Sequence, residues 1–127
     1  MFALCDIGYT FVWIFASRVD SASGVDLQKD LTPTGSTVFQ LARSLPYTTG
    51  HFNIYMDNYF TPQRLLARLR ELGIGGCGTA RVSRSAFPPE LDNKQKNIPW
   101  NEVSGRRADP AGQVLALQWQ DNSTVHF

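Results

Sequence analysis

Cysteine is almost missing from this chain: two residues, Cys5 and Cys77, stand far apart in a sequence of 127. Neither has a neighbour at CxxC spacing. That excludes a dithiol redox site and a cysteine-rich zinc site, and it favours a reducing compartment. Charge is scarce too. Charged residues make up 18% of the chain, below the roughly 25% of ordinary soluble domains, so either much of the chain is buried or a surface awaits a partner. No apolar run reaches the ~18–20 residues of a membrane-spanning helix. The longest, residues 11–16, stops at Ser17-Arg18. The first residues carry neither the basic region nor the long apolar stretch of a secretory signal. His51 and His126 have no partner at metal-ligand spacing, and no Ser–His–Asp or Cys–His assembly follows from spacing. There is no internal repeat and no low-complexity tract.

What is present suits a folded domain. The length corresponds to one domain with enough chain to bury a core without disulfides or a metal. A hydrophobic content of 43% and an aromatic content of 12% exclude a disordered chain. The net charge of +1 hides an asymmetry. Residues 1–60 carry three bases against five acids, residues 61–110 nine bases against five acids, and Asp121 follows alone. A basic middle beside a mildly acidic start fits a polyanionic partner, or a solvated helix face beside a charged loop. Both ends are apolar, with Phe2-Ala3-Leu4-Cys5 directly after Met1 and Phe127 closing a strand-like segment. Free-standing domains have polar, frayed ends, so the expectation is a chain truncated at both ends.

The pattern predicts an α/β order. Residues 2–5 and 9–15 read as two strands around the turn signal Asp6-Ile7-Gly8, and residues 18–33 as a long polar loop. Ser36 or Thr37 caps a helix running to Leu45, with Val38, Leu41, Ala42 and Leu45 as its apolar stripe and Pro46 as its stop. Residues 51–58 read as a central strand. Thr61 caps a second helix with Pro62 at its first position; Leu65, Leu66, Leu69 and Leu72 share a face, and Gly73 ends it. Residues 75–82 read as a strand, 83–112 as irregular, and 114–120 with 123–127 as a β-hairpin. A mixed sheet flanked by helices follows, with Leu4, Ile14, Leu41, Ile54, Met56, Leu65 and Leu69 in one core.

Asp57 is the strongest candidate for chemistry. It stands where an apolar strand gives way to a loop, the place where α/β folds collect their sites. A carboxylate there binds a hard cation such as Mg²⁺, or caps the turn and the following helix. One carboxylate is too few for two-metal phosphoryl transfer. Asp6 is a second acid at a strand end, or simply part of its turn. The glycines at 73, 75, 76 and 78 follow a helix and precede a strand, the reverse of a nucleotide-binding loop, so their role is steric. Cys77 reads as an inert buried thiol. Arg64, Arg68, Arg70, Arg81, Arg84, Arg106 and Arg107 all follow Asp57 and can contact phosphates.

At Ile54-Tyr55-Met56-Asp57-Asn58-Tyr59-Phe60-Thr61 the chain resembles the transposase domain of piggyBac transposable elements and of the host proteins derived from them. The resemblance continues from Leu69 to Thr79 and returns at Thr34-Gly35-Ser36, Ile98-Pro99-Trp100, Val114-Leu115-Ala116-Leu117 and Trp119-Gln120-Asp121-Asn122. It implies an RNase H-like mixed sheet with flanking helices, truncated at both ends. Residues 1–83 are then a partial transposase core, and 84–127 the start of an insertion bearing a β-hairpin. It implies metal-dependent cut-and-paste DNA transposition in the intact family, with aspartates holding Mg²⁺. Asp57 matches the family's second catalytic aspartate. The first and last have no counterpart here, and Asp6 matches a Cys-Asp turn that the family does not use as a ligand. The chain alone is therefore expected to be catalytically silent and to bind no Mg²⁺. Arg64, Arg68, Arg70, Arg81 and Arg84 are the candidate DNA contacts. DNA is the implied partner and the nucleus the implied location. A homodimer is implied for the intact family, and no membrane is. The alternative is a domesticated, non-catalytic DNA- or chromatin-binding module.

Overall fold

The structure, a computed structural model, describes residues 1–15, 24–83, 86–91 and 98–127. Among the described residues it is mixed α/β, with two α-helices and three small sheets. The order is β1 (Phe2–Asp6), β2 (Tyr9–Ile14), α1 (Pro33–Arg43), β3 (Asn53–Met56), α2 (Gln63–Glu71), β4 (Gly75–Gly78), β5 (Val103–Ala108), β6 (Leu115–Gln120) and β7 (Thr124–His126).

β1 and β2 form the expected hairpin, closed at Asp6↔Tyr9, with a bulge where the register shifts after Leu4. Its two loop residues both have positive φ, 44° at Ile7 and 80° at Gly8, the pattern of a type I′ turn. Glycine adopts this freely, whereas a β-branched side chain is strained there. Ile7 is 99% exposed and packs on nothing. Ile7→Asn is therefore expected to stabilise the chain by about 1 kcal/mol, read as a rise in the urea midpoint at constant slope.

α1 starts earlier than its apolar stripe suggests. Thr32 is the N-cap, its Oγ1 accepting from the Gly35 N–H at 3.0 Å, and Pro33 occupies the first turn, where a missing N–H costs nothing. The helix ends at the Ser44 cap. Leu41 and Ala42 are buried as the stripe predicts, and so is Phe39. α2 also departs from its expected start. Its N-cap is Pro62, while the Thr61 hydroxyl turns back to donate to the Asp57 carbonyl at 2.6 Å. Its end is a Schellman motif: Ile74 N–H donates to the Leu69 carbonyl and Gly73 N–H to that of Arg70, with Gly73 at φ 75°. Leu69 and Ile74 meet in the core beneath it.

The core joins Phe39, Ala42, Ile54, Leu65, Leu69 and Ile74, with Leu4 and Met56 packed at its margin. Leu65 and Leu69 are fully buried, each contributing about 2 kcal/mol by transfer from water. Leu41 is buried outside this cluster, and Ile14 is no member of it.

The expected single sheet with residues 51–58 at its centre is corrected. β3 pairs in parallel with β4 alone, Asn53↔Gly75 through Met56↔Gly78, and β1 pairs with β2 alone. Among the described residues no strand lies between β1 and β3, so the sheet is interrupted there. The stretch 83–112 is not wholly irregular either. β5 joins the predicted C-terminal hairpin in a three-stranded antiparallel sheet, β5-β6-β7. This sheet is clasped to the segment after β4 by the Ala80 N–H, which donates to the His126 carbonyl at 2.7 Å.

Candidate functional site

Asp57 is the first residue after β3, and it is exposed. Its carboxylate accepts from the Tyr59 N–H at 2.8 Å, and its carbonyl accepts from the Phe60 N–H and the Thr61 hydroxyl. The residue thus organises the turn that leads into α2, with its side chain bonded two residues ahead. Asn58 extends the arrangement: its Oδ1 accepts from Arg81 Nε at 2.7 Å. Arg81 is thereby brought to the Asp57 loop from the far end of β4. A notch of about 250 Å³ opens beside this pair, lined by Thr32 and Thr34 at the start of α1, by Tyr59, Thr61 and Pro62 ahead of α2, and by Arg81. Neither helix carries an acid in its first turn, so no acid of its own opposes the positive end of either.

The other candidate arginines are distributed differently. Arg64 and Arg70 are exposed. Arg68 is half-buried, with its guanidinium 5.3 Å from the Phe39 ring centroid, 3.6 Å from Asp30 and paired with Glu71. It ties α2 to α1 and to the preceding loop. Arg106 and Arg107 are exposed on β5, with Arg107 3.9 Å from Glu90. Arg84 lies outside the described residues.

Asp6 and Asp57 both line a cleft between β1 and β3. Among the described residues no group of three His, Cys, Asp or Glu side chains converges as a metal site. Cys77, expected to be buried, is exposed, as is Cys5. The glycines around it are steric, as expected. A Cβ at Gly76 would meet Leu66 Cδ2 at 2.8 Å, and one at Gly78 would meet the Met56 carbonyl and Thr61 Oγ1.

The sequence profile of the family described as Transposase IS4 matches residues 1–127. The chain belongs to this transposase family. One relative is the PiggyBac transposable element-derived protein 2 of Homo sapiens, 26% identical over 76 residues. Those residues are 60% of this chain and 13% of the human protein. No solved structure matches. The piggyBac resemblance carried by the residues around Asp57 is therefore borne out.

Within this transposase segment one carboxylate escaped the sequence reading. Asp109 accepts from the Gln113 N–H at 2.6 Å and the Val114 N–H at 2.9 Å, closing the β5–β6 connection. These donors, Val114 foremost, hold its carboxyl below the usual range. The signal was the turn sequence Asp109-Pro110-Ala111-Gly112. A depressed folded-state pKa means stability that is present above about pH 4 and lost as pH falls through the folded value. Amide protection at Gln113 and Val114 is expected to fall first on acidification below pH ~4. Asp109→Asn should remove that pH dependence, as hydrogen exchange would record.

Proposed function

We propose that this chain is part of a DDE-type transposase domain of RNase H-like design, which holds DNA through phosphate contacts and does not cut it unaided. The family match over residues 1–127 carries the reading. The position of Asp57 at the carboxyl end of β3, beside two helix starts and Arg81, supports it. In this reading residues 1–83 belong to the catalytic core and 84–127 to an insertion, and the protein works in the nucleus. Arg64, Arg70 and Arg81 supply charge to the backbone of DNA, while Arg68 holds the two helices together.

A divalent cation such as Mg²⁺ would supply Lewis-acid and water-activating chemistry in a complete site. The residues described here do not fit it. Mg²⁺ demands several converging oxygen ligands, whereas one carboxylate oxygen of Asp57 is already bonded to the Tyr59 N–H. No step of strand cleavage is therefore assigned to this chain. A second reading, a domesticated non-catalytic DNA- or chromatin-binding module, is favoured by the name of the human relative, a transposable element-derived protein.

The test is incubation of the purified chain with supercoiled DNA and Mg²⁺ or Mn²⁺, beside Asp57→Ala. The expected result is retarded DNA at low salt and no nicking by either protein. Nicking that vanishes in Asp57→Ala would overturn the non-cutting reading.

A further inference from the structure

Two tryptophans are held by one clasp at the end of β6. The Asn101 N–H donates to the Gln120 carbonyl at 2.7 Å, and the Gln120 N–H donates to the Glu102 carbonyl at 2.9 Å. Asn101 takes φ 63° there, a conformation that asparagine tolerates better than most residues. Its Oδ1 accepts from Trp119 Nε1 at 3.2 Å. Asp121 Oδ1, in the β6–β7 turn, accepts from Trp100 Nε1 at 3.1 Å. Trp119 is half-buried and tilts against the Phe127 ring, so packing accounts for it. Packing does not account for Trp100. It is 71% exposed, and among the described residues no other ring and no cation lies against it. An indole N–H lies in the plane of its ring, so the Asp121 bond fixes Trp100 without covering its faces. The ordering cost of a large aromatic side chain is thereby met before any partner arrives.

We propose that Trp100, with the carboxylates of Glu102 and Asp121 in the same clasp, is a docking point for an arginine side chain on a basic peptide segment of another protein. The sign of the charge comes from the two acids. Glu102 is exposed and Asp121 half-buried, and among the described residues neither is in an ion pair. The next base along the strand is Arg106. It lies four residues past Glu102, about 13 Å at ~3.3 Å per residue, beyond the screening length of ~10 Å at 0.1 M salt. An aromatic face attracts a cation, and so do the carboxylates. The same carboxylates repel phosphate, which disfavours a nucleic-acid strand stacked on this ring. The choice of arginine comes from shape. A guanidinium is planar, so it stacks on an indole and turns its N–H fork to a carboxylate at the same time. A quaternary ammonium calls for a cage of several rings, and Trp100 offers one. The inference rests on the Trp100 clasp and stands whether or not the chain binds DNA.

The probe is the peptide Gly-Ser-Arg-Ser-Gly, acetylated and amidated so that its guanidinium is its one charge. It is titrated into the full chain while the three indole N–H signals are followed by NMR, that of Trp100 being the one absent from Trp100→Leu. The Trp100 signal should shift and saturate, with those of Trp13 and Trp119 little changed. The same peptide with citrulline in place of arginine should bind at least tenfold more weakly. Trp100→Leu should weaken binding about fivefold, read from the peptide's arginine signals, with the circular dichroism spectrum retained. Glu102→Gln with Asp121→Asn, which keeps an acceptor for the Trp100 N–H, should weaken it about as much. Equal binding of the citrulline peptide, tighter binding of a trimethyl-lysine peptide, or no loss in either variant overturns the proposal. So does an equal shift of the Trp100 signal by an oligothymidine, which would make the ring a base-stacking platform. A shift that grows with protein concentration in the absence of peptide also overturns it, since a second copy of this chain would then be the partner.

Discussion

Raising the salt from 50 to 200 mM is expected to weaken DNA binding by this chain about 40-fold. The figure comes from three phosphate contacts, since log K falls with log salt at a slope near −0.9 per neutralised phosphate. Arg64 and Arg70 are exposed on α2, and Arg81 is braced on Asn58 beside the helix starts. Replacing the three by glutamine should flatten the slope by about 2.7 and lower affinity alike for every DNA sequence. Arg68→Gln should behave differently. Its guanidinium is committed to Phe39, Asp30 and Glu71, so its loss should lower the unfolding midpoint with little change in slope. A salt-independent affinity, or a sequence-selective loss in the triple variant, would contradict the phosphate reading. Filter binding across a salt series on two unrelated duplexes is sufficient.

Gly78→Ala is expected to destabilise the chain by about 2 kcal/mol, a factor of roughly 30 in the folding equilibrium. The new Cβ would press on the Met56 carbonyl and stand 2.6 Å from Thr61 Oγ1. The first is backbone of the paired strand, and the second is the hydroxyl that holds the Asp57 carbonyl. Neither can withdraw as the tip of a long side chain could. The displacement should therefore reach the Asp57 turn, and the Tyr59 and Phe60 amides should exchange faster. Cys77→Ala, one residue earlier and exposed, is the control and should change stability by less than about 0.5 kcal/mol. Equal midpoints for the two variants in urea would remove the close-approach argument.

The two helices and both hairpins were legible because their patterns are local. Leu65, Leu69 and Gly73 mark a face and an end, and Ile7-Gly8 marks a two-residue turn. The start of α1 was hidden because Thr32-Pro33 reads equally as loop or as cap and first turn. β5 was hidden because Val-Ser-Gly-Arg-Arg-Ala has no apolar alternation; its strand state depends on pairing with β6. The place of the break between β1 and β3 left no trace in the local pattern, since strand neighbours are a tertiary matter. At the site, the place of Asp57 at a strand end was legible, but its bond to Tyr59 was not. The meeting of Asn58 with Arg81, 23 residues apart in sequence, left no local trace. The engagement of Arg68 escaped for the same reason, because a guanidinium on a polar helix face looks free until Phe39 and Asp30 are placed beside it.

The clasp between Ala80 and His126 sets a timetable. The β1–β2 turn needs two loop residues, and hairpins of that kind close in about 1–10 μs. β3 and β4 are parallel, so they meet only after α2 has formed and folded back between them. The bond from Ala80 N–H to the His126 carbonyl joins residues far apart in the chain, and its loop-closure entropy must be met before any contact rewards it. The β5-β6-β7 sheet can zip locally, yet its clasp to the segment after β4 closes last. Synthesis in sequence order would therefore hold the core helices and the Asp57 turn in place while β7 was still unattached.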